Sequence, residues 1–135
     1  MCPTRKVKTA LHRAAFAGND RLVRLLLDYG AEVSKEDSNG KTPLLLAAEA
    51  GRESVVRVLL EHSSDANQTD YQGRNALFSG VLGRSEEVVR LLLEKGAVDI
   101  NAVDSEGNTP LHLAVEHGLE EITSILLRRG ANVNA

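Results

Sequence analysis

Four stretches of this chain repeat one another at spacings of 33, 33 and 34 residues: TALHRAAFAG from Thr9, TPLLLAAEAG from Thr42, NALFSGVLGR from Asn75 and TPLHLAVEHG from Thr109. Each is followed by a second apolar pattern: RLVRLLLDYG from Arg21, SVVRVLLEHS from Ser54, EVVRLLLEKG from Glu87 and EITSILLRRG from Glu121. Near-identical local sequence at a fixed period builds the same small unit each time, so the chain is a stacked array. Such an array offers a long modular surface rather than a pocket with chemistry in it.

The unit from Asp37 to Thr69 shows the local logic. Asp37-Ser38-Asn39-Gly40 reads as a turn, with Gly40 free to take positive φ and Asp37 and Asn39 bonding nearby backbone. Thr42 then supplies a capping hydroxyl, and Pro43 at the first helical position gives up no needed donor. Leu44, Ala47 and Ala48 form a stripe one short helix long, which Gly51 ends in a left-handed conformation. The second helix carries Val55, Val58 and Leu59 at the same spacing, leaving Arg57 and Glu61 to water. Its closing residue is glycine in three units (Gly30, Gly96, Gly130) and Ser63 here, so this junction is expected to be strained.

Both helices are apolar on more than one side, and a single unit cannot cover its own core. Stacking would align Leu26, Leu59, Leu92 and Leu126 in one row and Ala14, Ala47, Gly80 and Ala114 in another. Each large aliphatic buried contributes roughly 1.5–3 kcal/mol before conformational entropy is charged against it. The small second row lets neighbouring first helices approach closely.

These residues resemble the ankyrin repeat, through Thr42-Pro43-Leu44, Thr109-Pro110-Leu111-His112, the paired leucines followed by Gly-Ala (Leu26-Leu27…Gly30-Ala31, Leu126-Leu127…Gly130-Ala131), and Asn101 and Asn134. The resemblance implies an all-α solenoid of four helix-turn-helix units joined by β-hairpin-like turns. One domain would fill residues 1–135, with units at about 4–36, 37–69, 70–103 and 104–135. In such repeats the histidine after Thr-x-Leu bridges the backbone of adjacent turns, which assigns His12 and His112 a structural role.

Departures from the pattern are informative. The first unit has Val7 in place of the turn glycine and Ala10 in place of proline, as an N-terminal cap would. The third unit departs most, with Asn75-Ala76 for Thr-Pro, Phe78 for His, Gly80 for the packed alanine and Arg84 for the bend glycine. It also has one extra residue within Gly96-Ala97-Val98-Asp99-Ile100-Asn101, which must bulge the return segment. Gly80 in a helix costs about 1 kcal/mol relative to alanine, which marks this unit as the soft one. Such irregularity fits natural drift better than design from a consensus. The fourth unit keeps Leu113 on its outer face, with Thr123 and Ser124 adapted to water.

Composition narrows the function classes. The formal charge of −3 is spread along the 135 residues, with no basic face to displace counterions from nucleic acid. Cys2 is the only cysteine, and no apolar run is long enough to cross a membrane. The expected setting is therefore cytoplasmic or nuclear, where the glycosylation pattern Asn67-Gln68-Thr69 is idle. His112 and His117 are five residues apart, off the spacing of a helical metal pair. Glu86-Glu87 and Glu120-Glu121 open second helices, where negative charge complements the helix dipole. Gly80-Val81-Leu82-Gly83 lies inside a repeat helix and is no phosphate loop. The reading is a non-catalytic module with no cofactor, no metal and no small-molecule substrate.

What remains is partner recognition. The resemblance implies a concave face made of turn tips and the outer side of first helices, binding a protein. Carried over by position, the partner-binding residues are Phe16, Lys41, Glu49, Tyr71, Arg74, Leu82, Asn108 and Glu116, with Tyr71, Arg74 and Leu82 at the centre. Phe16 and Leu82 stand out as apolar groups expected at the surface, and Tyr and Arg are enriched at energetic hot spots. The alternatives are a regulatory or targeting segment of a larger enzyme or receptor, and weak self-association through an uncapped C-terminal face.

Overall fold

The computed structural model describes residues 8–135; Val7 and Cys2 lie outside them. Among these residues are eight helices in four consecutive pairs: α1 (Ala10–Ala17) with α2 (Asp20–Asp28), α3 (Pro43–Glu49) with α4 (Glu53–Glu61), α5 (Ala76–Leu82) with α6 (Glu86–Lys95), and α7 (Pro110–Glu116) with α8 (Glu120–Arg128). First helices pack on first helices along the chain, and second helices on second helices, giving two parallel layers. The all-α solenoid is the observed architecture.

Each first helix starts on a cap in extended backbone whose side chain takes up an orphan N–H. Thr9 accepts from His12, Thr42 from Leu45 and Thr109 from His112. Asn75, which stands for threonine in the third unit, accepts from both Leu77 and Phe78, so the cap survives the substitution. In the first and fourth units the backbone N–H of Thr9 and Thr109 also donates to Nδ1 of His12 and His112. Nδ1 is thus an acceptor, which leaves the proton on Nε2. That atom donates to the carbonyl of Lys41 at 2.8 Å in one case and of Ala135 at 2.9 Å in the other. The histidines act as backbone bridges, as the resemblance implied.

The core is nearly continuous. Leu59, Leu92 and Leu126 are fully buried in their row, while Leu26 at the start is half-buried. Phe78 occupies the histidine position of the third unit and is fully buried in the cluster shared with the fourth. Gly80 is a packing glycine. A Cβ there would lie 3.3 Å from Val88 Cγ1 and 3.4 Å from Leu92 Cδ1, so the helix-propensity cost assigned to it is offset by close approach of α6.

Two expectations require correction. Ser63 does close its helix at positive φ, but Gly96 does not: it stays right-handed at φ −85°, and the left-handed residue is Ala97 at φ 48°. The extra residue of the third unit has displaced the closure by one position. The same unit holds Arg84 at φ 57° where its neighbours use glycine. Second, Leu113 is buried in the core, and Val115 is the apolar residue its helix exposes. In the first unit Leu22 and Leu25 on α2 are about half exposed.

Candidate functional site

The turns that precede the first helices are built on buried aspartates. Asp37 Oδ1 accepts from the N–H groups of Asn39 (2.8 Å) and Lys41 (2.9 Å). Asp70 does the same for Gln72 and Arg74, and Asp104 for Glu106 and Asn108. Backbone bonds from Tyr71 to the Asn39 carbonyl and from Ser105 to the Gln72 carbonyl tie successive tips together. A short side chain satisfying two donors makes the loop stiff, so residues on these tips are held in place by the backbone beneath them.

Charge links the tips as well. Lys8, Lys41, Arg74 and Asn108 occupy equivalent positions just before each cap. Lys8 reaches Asp37 Oδ2 at 3.6 Å, and Arg74 Nε donates to Asp104 Oδ2 at 3.1 Å. Burial alone would push these two carboxyls up. In Asp37 the N–H groups of Lys41 and Asn39, with Lys8 and His12 nearby, outweigh it and hold the carboxyl below the usual range. In Asp104 burial is likewise outweighed by the N–H groups of Asn108 and Glu106 and by the Arg74 guanidinium.

A groove of about 380 Å³ lies between the first two tips and the first two helices. Lys8, Asn39 and Lys41 wall it on the tip side, and Phe16, Leu46 and Glu49 on the helix side. Lys41 Nζ donates to Glu49 Oε2 at 2.6 Å across it. A second hollow of about 270 Å³ shares Asn39 and Lys41 and continues to Tyr71 and Gln72. Phe16 is 53% exposed and Tyr71 60%, so the two aromatics stand at either end of one strip. The Tyr71 ring lies over Gly40, where an added Cβ would fall 2.6 Å from Cδ1.

Residues 2–70 and again 62–135 match the family described as ankyrin repeats (3 copies). The chain belongs to the ankyrin-repeat family. Among curated proteins, the ankyrin array is similar to the potassium channel AKT3 of Oryza sativa subsp. japonica, 57% identical over 35 residues. The potassium channel AKT1 of Oryza sativa subsp. indica is 54% identical over 35 residues. In both cases the match covers 26% of this chain and only 4% of the channel.

The ankyrin array brings some of the expected contact residues together and separates others. Phe16, Lys41, Glu49 and Tyr71 share the strip just described. Arg74 is 18% exposed in its side chain and is engaged by Asp104, so it braces two units. Leu82, expected to be an exposed apolar group, is instead half-buried against the cluster of the third and fourth units. The helix-end position that points outward in α1 is drawn inward in α5. Glu116 is exposed and Asn108 half-buried, and neither lines the two hollows. Leu46 went unremarked although it is buried and floors the groove; the unbroken run Leu44-Leu45-Leu46 was the available signal, since one stripe cannot use all three. Among the described residues no cluster of His, Cys, Asp or Glu is placed to hold a metal ion, and no helix is long and apolar enough to cross a membrane.

Proposed function

We propose that this ankyrin array is a protein-binding module that docks a segment of a partner protein along the strip from Phe16 to Tyr71. The observation that carries the reading is Phe16. It stands largely exposed beside the groove floor of Leu46, at a helix position where other units place Glu49 and Glu116. The fold leaves this aromatic residue about half exposed, and aromatic anchors beside a groove are what a docked segment uses. The Lys41–Glu49 pair in the middle supplies one charge of each sign to fix the segment's register, and Asn108 and Glu116 would extend the contact along the same side. The proteins meeting it are cytoplasmic or nuclear.

The test is capture of partners by the wild-type array and by a Phe16→Ser, Lys41→Glu, Tyr71→Ser variant, quantified by mass spectrometry. Loss of a discrete set of partners by tenfold or more is expected, with thermal unfolding little changed because the first and third side chains are exposed. Undiminished capture of the same set would remove the strip as the binding site.

A second reading concerns context. Both channels contain a matching stretch within a far longer chain, which favours an ankyrin segment working inside a larger polypeptide. An antibody against the array would then detect an endogenous protein well above 14.6 kDa. A band at that mass alone would exclude it.

A further inference from the structure

The second helices are equivalent position by position, and one pair of positions behaves differently in the first unit. Leu22 corresponds to Val55, Val88 and Ile122, and Leu25 to Val58, Leu91 and Ile125. The six later residues are buried, in a layer where each second helix packs on the one before it. Leu22 is 47% exposed and Leu25 51%, because among the described residues no earlier second helix packs on this side of α2. The unit therefore keeps an interface sequence whose second half is not found among the described residues.

We propose that this face is completed by a second copy of the chain, α2 against α2, antiparallel about a twofold axis. Leu22, Leu25 and Tyr29 fall at i, i+3 and i+7, the spacing of a helix seam, with half-buried Leu26 beside them. Antiparallel pairing sets Leu25 against Leu26 of the other copy and Leu22 against Tyr29. It also brings Arg21, which flanks the seam one turn before Leu25, next to Asp28 of the other copy, twice by symmetry. Neither Arg21 nor Asp28 makes an ion pair among the described residues, so both are available. The C-terminal end is the poorer candidate. There Thr123 replaces the buried valines Val56 and Val89, so stacking a copy on that face would cover a hydroxyl.

Sedimentation of the full chain tests this. A seam of one short helix per copy makes a small interface of micromolar strength or weaker, so the average mass should climb from 14.6 kDa towards twice that value between roughly 10 μM and about 1 mM. Leu25→Glu should hold the chain monomeric throughout, with its helical content intact because the site is half exposed. Arg21→Asp sets like charges together and should weaken association at least about fivefold at low salt; Arg21→Asp with Asp28→Arg should restore it. A wild-type monomer over the whole range overturns the proposal. So does assembly that grows beyond a dimer and is lost in Leu127→Glu, since that is head-to-tail stacking, and so does a charge swap that fails to rescue.

Discussion

Ala97 sits at φ 48°, one residue beyond the glycine that would have served the same purpose at no steric cost. Its methyl group crowds the following carbonyl in this conformation, which costs about 1–2 kcal/mol for an L-residue. Replacing it with glycine removes that cost but frees the unfolded chain by about 0.4–1 kcal/mol. The expected net gain for Ala97→Gly is therefore about 0.5–1 kcal/mol. In urea the midpoint should rise by roughly 0.3–0.5 M with the slope unchanged, for a slope of about 2 kcal/mol per M. The companion change, Gly96→Ala, separates conformation from contact. Gly96 is right-handed, so φ alone would permit alanine, but a Cβ there would lie 2.7 Å from the Leu92 carbonyl oxygen and 3.3 Å from Ala66 Cβ. That collision with backbone should cost about 1–3 kcal/mol. A destabilised Ala97→Gly, or a neutral Gly96→Ala, would refute the displaced closure.

Asp104→Asn keeps the Oδ1 acceptor for two N–H groups but leaves Arg74 without its partner, and should cost about 1–2 kcal/mol at neutral pH in chemical unfolding. The folded-state carboxyls of Asp37 and Asp104 lie below the usual 3.8, so their contribution is present above about pH 4 and is lost as pH falls through the lowered values. The gap between wild type and Asp104→Asn should accordingly narrow in that acid window; a gap independent of pH would dismiss the ion pair as its source. His12→Ala removes a buried ring that bonds Thr9 and the Lys41 carbonyl, and thermal unfolding should show a loss of about 1–3 kcal/mol. Phe78→Ala empties the largest buried side chain and should cost about 3–5 kcal/mol, enough to loosen the contact between third and fourth units in hydrogen exchange.

Most of the architecture was legible because each unit repeats the same local instructions. Thr42-Pro43, Gly51 and the leucine pairs state caps, bends and stripes within a dozen residues, and four repetitions average out any single ambiguity. The histidine bridges were expected from the resemblance to ankyrin repeats. Legibility failed where the outcome depended on what packs alongside. Leu82 and Phe16 occupy the same place in their units, yet one is drawn against the third and fourth units and the other is left outside, a difference of neighbours rather than of helix position. Arg74 and Lys41 are likewise equivalent, but Arg74 reaches the next turn's aspartate while Lys41 turns across the groove to Glu49.

The amino-acid order alone dictated a four-unit helical stack, because backbone capping, glycine bends and apolar spacing act over a few residues and need no distant partner. Tertiary structure alone decided which apolar residues reach solvent. Leu22 is exposed and Val55 buried by the same helix position, since burial belongs to a residue and its neighbours together, and the neighbours are supplied only when the units stack.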